Sequence, residues 1–135
     1  MPLIRISLPD TYTELEQQAI SDGLHESLVQ CFDVPEKDRF HIIEGLPTRQ
    51  LVMDPDYMAP DGRSDAALIV QVTAGRVRSE AQRRAFYGEL VKRLESSVGI
   101  RPVDVMVVIS TNQAAEWSFS QGIGLSQWLE EGVPS

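Results

Sequence analysis

An internal repeat with an offset of 66 positions constrains the fold of this chain more than any other feature. Each copy has an apolar stretch, a helix-start motif, apolar residues at helical spacing and a second apolar stretch. Few residues are identical, but the caps, helix stripes and strands all coincide, so the sequence predicts a duplicated βαβ unit. The matched features are Thr13-Glu14 with Ser79-Glu80, Ala19 with Ala85, Leu24 with Leu90, Leu28 with Leu94, Asp38 with Asp104 and Ile43 with Ile109.

The first copy spans about residues 2–44. Leu3–Leu8 is a short apolar run interrupted by alternating polar residues, which predicts a strand. Thr13-Glu14-Leu15-Glu16 has the form of a capping box, and the apolar positions that follow predict an amphipathic helix of about five turns ending near Phe32. After a segment rich in turn residues, Arg39–Ile43 is predicted to form the second strand.

The second copy spans about residues 67–111. It begins with the predicted strand Ala67–Thr73, and Ser79–Gln82 then forms a second capping box. The helix that follows is predicted to end near Val98, before the strongly apolar strand Val103–Ile109. The two copies together predict an α+β fold, in which two helices cover one face of a four-stranded mixed sheet through right-handed crossovers.

Two segments lie outside the repeat. Gly45–Ser64 is rich in proline and predicts a linker, with a short strand at Gln50–Met53. The C-terminal tail, residues 112–135, contains Trp117-Ser118-Phe119 and is too short to be a domain, so we expect one domain over residues 1–135. A sheet with one helix-covered face must bury its other face, and the aromatic tail is therefore expected to pack on an adjacent subunit.

Composition restricts the partners. The formal net charge of −8 argues against binding to nucleic acid or to an anionic membrane. Because the chain has neither a long apolar run nor a signal-like N-terminus, we expect a cytoplasmic protein. Its single cysteine, Cys31, cannot form an internal disulfide and is predicted to pack in the core. With only His25 and His41 besides, and no ligand spacing, no metal site is expected.

The N-terminus could carry catalysis. Methionine before a small residue is normally trimmed, and the loss of Met1 would give Pro2 a free secondary amine on a strand. An α-amino group titrates at about 7.7–8.0, so burial or a neighbouring charge can make it a general base or a persistent acid near neutral pH. If Met1 stays attached, Pro2 is an amide without basicity. Proline at position 2 is also common in proteins with no such role.

Two further groups could act with Pro2. Arg76 and Arg78 lie in a glycine-containing turn before a helix, an arrangement suited to a carboxylate, although both could be solvated surface charges. Asp38 precedes the second strand. If it reaches Pro2, its carboxylate would raise the pKa of the amine and could orient a water molecule. Its repeat mate Asp104 shows that a role in a turn would explain both residues.

The N-terminal proline, the duplicated βαβ unit and three short segments together resemble the tautomerase superfamily, and within it most of all the malonate semialdehyde decarboxylases. The segments are Val34–Phe40, Gly75–Glu80 and Trp117–Phe119. This resemblance implies a homotrimer with a tautomerase-like fold. It also implies decarboxylation of malonate semialdehyde (3-oxopropanoate) to acetaldehyde and carbon dioxide without a cofactor.

The resemblance also implies roles for single residues. The cationic Pro2 would polarise the aldehyde oxygen of the substrate, and Asp38 would keep the proline charged and assist water. Arg76 and Arg78 would bind the substrate carboxylate. Trp117 and Phe119 would form an apolar wall. A cation fixed beside the carbonyl oxygen would stabilise the enolate charge that develops as carbon dioxide leaves.

Three alternatives remain open at the level of sequence. An enol–keto tautomerase acting on phenylenolpyruvate or a 2-hydroxydienoate would use a neutral Pro2 as its base, and Asp38 argues against it. A hydratase or dehalogenase acting on a 3-haloacrylate would use the same cation, arginines and carboxylate as the decarboxylase. The non-enzymatic alternative is a trimeric binding or signalling protein built on the same fold.

Overall fold

The structure is a computed structural model that describes residues 1–132; the last three residues of the predicted tail, 133–135, lie outside the described residues. It has four strands, three α-helices and three short 3₁₀ turns. The strands are β1 (Pro2–Pro9), β2 (Phe40–Leu46), β3 (Leu68–Ala74) and β4 (Val105–Thr111), and the helices are α1 (Glu14–Phe32), α2 (Glu80–Val98) and α3 (Leu125–Glu131).

The four strands form one mixed sheet in the order β2-β1-β3-β4. Within each copy the two strands are parallel, whereas β1 and β3 join the copies in antiparallel pairing. The predicted fold class is therefore confirmed. Each parallel pair is connected through a helix, as a βαβ unit requires.

The two long helices repeat each other. Both have 19 residues, and both begin after a reciprocal capping box, Thr13 with Glu16 in α1 and Ser79 with Gln82 in α2. Both also end at a residue in the left-handed region, Asp33 and Gly99, which are again separated by the repeat offset. The same local signals therefore start and stop the helix in each copy.

The core lies between the two long helices and one face of the sheet. Alternate residues of β1 and β3 point into it, and their neighbours face the other way. The buried side chains that join the sheet to the helices include Ile4, Ile6, Val70, Val72, Leu24, Leu28, Phe86 and Leu90. On the helix-free face, large apolar side chains remain 39–45% exposed: Leu3, Phe40, Ile42, Met106 and Val108.

Two sequence predictions were wrong in detail. The expected strand at Gln50–Met53 is absent from the described structure, where a 3₁₀ turn occupies Thr48–Gln50. The amides of Gln50 and Leu51 donate to carbonyls three residues earlier, so these two donors are used within the turn and not in a sheet. The last strand begins at Val105 instead of Val103, because Pro102–Asp104 form another 3₁₀ turn.

Among the described residues, none of the helices is both long and apolar enough to span a bilayer. Cys31 is partly buried and packs against the core, and burial is the main cause that raises the pKa of its thiol.

His41 should make the protein less stable in mild acid. Its Nδ1 lies 2.8 Å from Ser21 Oγ, and burial, followed by the charge of Arg39, lowers the pKa of the ring to about 4. The unfolded ring titrates near 6.5, so the unfolded state binds the proton more tightly and the free energy of unfolding falls as the pH drops from about 6.5 to 4. We expect the titration of His41 to lower the free energy of unfolding by about 2–3 kcal/mol over this pH range.

Urea unfolding at pH 7.5 and 4.5 checks this, with His41→Gln as the matched variant. The variant should lose less stability on acidification than the wild type. Equal losses in the two proteins would contradict the assignment.

Candidate active site

The strand pairing brings four segments to one edge of the sheet. Pro2 of β1 pairs with Ala74 of β3, Leu3 pairs with Phe40 of β2, and Ala74 pairs with Thr111 of β4. This edge, where β1 and β2 begin and β3 and β4 end, is called the N-terminal edge below. It gathers the chain terminus, the loop before β2, the turn after β3 and the start of the tail, which together contain every candidate site residue.

Asp38 contacts the chain terminus at this edge. The Met1 amine donates to Asp38 Oδ2 at 2.6 Å, and both residues are partly buried. The Asp38 amide donates to Pro35 O, which closes the turn before β2, and Met1 O accepts from the Gly75 amide. The carboxylate therefore meets a terminal ammonium one residue before the predicted catalytic proline. Pro2 itself is buried, and its nitrogen is an amide in this form of the chain.

The two arginines are not equivalent. Both donate to the carbonyl of Phe32, the last residue of α1, at 3.2 Å from Arg76 and 3.0 Å from Arg78. A cation at the C-terminal end of a helix also interacts favourably with the helix dipole. Arg78 is only 5% exposed, its guanidinium carbon lies 5.1 Å from the centre of the Phe32 ring, and burial lowers its pKa. Arg76 is exposed, which leaves it the more accessible of the two for a ligand.

An aromatic row borders the same edge. The Trp117 ring stacks on Phe119 with centroids 5.5 Å apart, and Phe119 lies 5.4 Å from Phe40. Trp117 Nε1 donates to Asn112 Oδ1 at 2.6 Å. The tail therefore packs against its own chain here, while its expected contact with a neighbouring subunit stays a prediction.

Met1 and Gly75 are closely packed beside Trp117. A Cβ added at Gly75 would lie 2.9 Å from Met1 Cε and 3.0 Å from Met1 Cβ, and 3.1 Å from Trp117 Nε1. The absence of a side chain at Gly75 is thus what lets the terminus and the indole approach the turn. In this form of the chain the methionine side chain and the indole both pack against Gly75.

Three residues at the N-terminal edge were missed as site candidates: Phe40, Gly75 and Asn112. Strand alternation could have found Phe40, since it shares the helix-free face with Ile42. The tight packing at Gly75 and the Asn112 bond to the indole depend on how the tail folds back, for which the sequence carries no periodic signal. Among residues 1–132, no three His, Cys, Asp or Glu side chains cluster as a metal-ligand set.

The opposite edge of the sheet contains the repeat mates of two candidate site residues. Asp104, the repeat mate of Asp38, is 2% exposed and accepts from the amide and the hydroxyl of Ser64 at 2.7 and 2.6 Å. Tyr12, the repeat mate of Arg78, donates to Ala66 O, and burial raises its pKa to about 12. The linker thus supplies to Asp104 the donors that the terminus supplies to Asp38.

Two cavities, of about 270 and 410 Å³, lie on that side of the molecule and border Ser64. Neither touches the predicted site residues. The larger one is lined by Tyr12 and Asp104, but their polar atoms are already hydrogen-bonded within the chain. We therefore place the candidate active site at the N-terminal edge, where the charged groups converge.

Replacing each of the two aspartates should have a different effect on stability. Asp104→Ala leaves the Ser64 amide without its acceptor and should lower the free energy of unfolding by about 1–3 kcal/mol. Asp38→Ala breaks an ion pair of partly exposed groups and should cost at most about 1 kcal/mol. Urea unfolding at a fixed protein concentration compares them. A larger loss of stability for Asp38→Ala than for Asp104→Ala would contradict the assignment.

Comparison with known proteins agrees with this architecture. Two family models, each described as tautomerase enzyme, match residues 2–59 and 38–120. The chain is 31% identical over 130 residues to Probable tautomerase YusQ of Bacillus subtilis (strain 168), covering 96% of this chain and 100% of that one. This protein therefore belongs to the tautomerase superfamily.

Solved structures extend the comparison. A malonate semialdehyde decarboxylase, studied as a structural basis for decarboxylase and hydratase activities, superposes with a TM-score of 0.87 at 30% identity, over 98% of this chain and 99% of that one. The fused 4-OT symmetric trimer has a TM-score of 0.75 at 18% identity, over 92% and 96% of the chains, and so shows the fold alone. The predicted superfamily, and the decarboxylase as a structural relative, are both confirmed.

Proposed function

We propose that this protein is a cofactor-free decarboxylase of 3-oxopropanoate, with a cationic N-terminal proline as its central group. One observation carries the proposal: Asp38 holds a terminal ammonium at 2.6 Å, at the edge that also contains both arginines and the aromatic row. After loss of Met1 the same carboxylate would lie beside the Pro2 amine, and an opposite charge within hydrogen-bonding reach stabilises a charged amine. That suits an acid or an electrostatic catalyst better than a base.

Loss of Met1 is the first step of the proposal. It would free the secondary amine of Pro2 and clear the space that the methionine side chain fills beside Gly75 and Trp117. The Pro2 ammonium would then be the terminal cation next to Asp38. Intact-mass measurement of the purified protein tests this, since the loss of one methionine residue is expected.

In the proposed reaction, the Pro2 ammonium donates a hydrogen bond to the aldehyde oxygen of 3-oxopropanoate. Arg76, supported by the neighbouring Arg78, binds the carboxylate. The bond between the carboxylate carbon and the adjacent methylene carbon breaks, and its electron pair forms the enolate of acetaldehyde. A proton from the ammonium or from water then adds to the terminal carbon, so that acetaldehyde and carbon dioxide leave. The fixed cation acts most strongly on the charge that develops at the oxygen.

The aromatic row supports the same chemistry. Trp117 and Phe119 offer an apolar surface beside the charged groups, which would favour neutral carbon dioxide over the bound carboxylate.

Purified protein without Met1 should convert 3-oxopropanoate to acetaldehyde, measured by coupling to an alcohol dehydrogenase, with release of carbon dioxide. A rate equal to that in buffer would refute the proposal. Phenylenolpyruvate serves as the parallel substrate. Faster conversion of phenylenolpyruvate than of 3-oxopropanoate would favour the alternative activity.

A tautomerase is the second candidate, favoured by the name of the Bacillus relative and of both family models. It would need Pro2 neutral at working pH, with a pKa below about 7.7–8.0. A nitrogen NMR titration of proline-labelled protein separates the two activities, because a decarboxylase requires a pKa above that range. A hydratase would share the cationic proline and is distinguished by its product.

We also propose that the protein is a homotrimer. The exposed apolar side chains of the helix-free face support this, since a monomer would leave them in water. The fused 4-OT relative with the same fold is a trimer. Sedimentation equilibrium should give three times the chain mass of 15.1 kDa, and a monomeric mass at micromolar concentration would contradict the assembly.

A further inference from the structure

Helix α1 is bonded to the chain on both sides of Asp38. Three of its polar side chains, called the α1 clamp below, each contact one residue near that aspartate. The contacts are Ser21 Oγ to His41 Nδ1 at 2.8 Å, Asp22 Oδ1 to Arg39 Nη1 at 2.6 Å, and His25 Nε2 to Glu36 O at 2.7 Å. Asp38 therefore lies on a short segment that is held before and after it by one rigid helix.

His25, like Ser21, is a buried member of the clamp. It is 4% exposed, whereas Asp22 and Arg39 are open to solvent. A carbonyl oxygen only accepts hydrogen bonds, so the contact with Glu36 requires a proton on Nε2. The buried Nδ1 of the same ring has no hydrogen-bond partner within residues 1–132. A half-satisfied polar ring in the core is costly, so an apolar side chain would serve simple packing better.

The position of the Glu36 carbonyl explains what the bond could achieve. Glu36 lies two residues before Asp38, inside the turn that the Asp38 amide closes on Pro35 O. Fixing this carbonyl fixes the plane of the turn, and so the direction in which the Asp38 side chain leaves it. At the far side of the turn, that side chain meets the terminal ammonium at 2.6 Å.

We infer that His25 is a positioning residue for Asp38, and through Asp38 for the charge state of the N-terminal amine. It touches neither the terminus nor the substrate site. Its bond to Glu36 O keeps the carboxylate within hydrogen-bonding reach of the amine. The inference rests on the proposed function only in taking Pro2 as the working terminus.

The first test replaces His25 by Leu and by Gln. A Gln side chain can place its amide nitrogen near the Nε2 position and donate to Glu36 O, whereas Leu cannot. In His25→Leu the pKa of the Pro2 amine should fall by about one unit toward its reference value. The kcat for 3-oxopropanoate should fall about tenfold, with KM changed less than twofold, because Arg76 is untouched. His25→Gln should recover most of both losses.

Ser27→Ala is the matched control. Ser27 is also polar, fully buried and on α1, but its hydroxyl donates to Gly23 O within the helix and does not reach the Asp38 segment. This variant should keep the wild-type pKa at Pro2. If His25→Leu does not fold, His25→Asn replaces it, because the shorter amide ends before Glu36 O and should behave as Leu would.

The readouts separate failure of this inference from failure of the proposed function. The nitrogen NMR titration of Pro2 needs no substrate. A lowered pKa in His25→Leu without any turnover of 3-oxopropanoate by the wild type would support the positioning role and refute the decarboxylase. Turnover by the wild type with an unchanged pKa in His25→Leu, or an equal fall in the Gln variant, would overturn the role of His25 and leave the decarboxylase standing.

Discussion

Protein that retains Met1 is expected to convert 3-oxopropanoate at least about 10³-fold more slowly than the trimmed protein. With Met1 attached, the nitrogen of Pro2 is an amide and cannot carry a proton. A lost donor to a developing oxyanion alone costs about 10²–10³ in rate. The methionine side chain also packs against Gly75, where its Cε lies 2.9 Å from the position of a Gly75 Cβ.

The comparison can be made on one polypeptide. Protein expressed with the cellular methionine aminopeptidase inhibited should keep Met1, and treatment with the purified aminopeptidase should then remove it. Activity should appear in proportion to the fraction of trimmed chains measured by mass spectrometry. Retained-Met1 protein that is as active as the trimmed form would show that the Pro2 amine is not the catalytic group.

The helices were predictable from local chemistry. The capping boxes at Thr13 and Ser79 predict the two helix starts, and the structure forms both boxes at the predicted residues. The helix ends at Phe32 and Val98 also agree with the sequence pattern. These signals work because capping satisfies amides within three residues of the cap, so no distant part of the chain is needed.

The strand order could not be worked out in the same way. A βαβ unit dictates that β1 lies parallel to β2, and so brings Asp38 toward the terminus. That the two copies join through β1 and β3 is decided by packing over the whole core. The prediction of a strand at Gln50–Met53 was wrong for the same reason, because strand pairing is decided by tertiary packing. These residues pair with none of the four strands of the described sheet, and Val52 is 88% exposed.

The sequence predicted which residues form the candidate site, but not which of them are buried and which are open to a ligand. Asp38, Arg76, Arg78, Trp117 and Phe119 all lie at the N-terminal edge with Pro2. Two arginines in one turn look alike in sequence, since their burial depends on where α1 ends in space. The row from Phe40 to Trp117 needs the tail to fold back across the sheet. Only the tertiary structure supplies either fact.

Arg76→Ala and Arg78→Ala are therefore expected to have different effects, the first on substrate binding and the second on stability. Arg78 is buried, donates to two backbone carbonyls and covers the Phe32 ring, so its loss should lower the free energy of unfolding by about 2–4 kcal/mol. Arg76 is exposed and makes one long bond to Phe32 O, so Arg76→Ala should change stability by less than about 1 kcal/mol. It should instead raise KM for 3-oxopropanoate at least about tenfold, through loss of a charge-assisted contact with the carboxylate.

Urea unfolding and steady-state kinetics on the same preparations measure both effects. Arg84→Ala is the matched control, because Arg84 is 77% exposed on α2 and, within the described residues 1–132, its one ion pair is with Glu80 one turn away. It should leave stability and KM unchanged, since such pairs contribute little. Wild-type stability in Arg78→Ala would show that the buried guanidinium does not hold the end of α1. A wild-type KM in Arg76→Ala would remove the exposed guanidinium from the carboxylate site and would leave Arg78 and the terminal cation to bind the substrate.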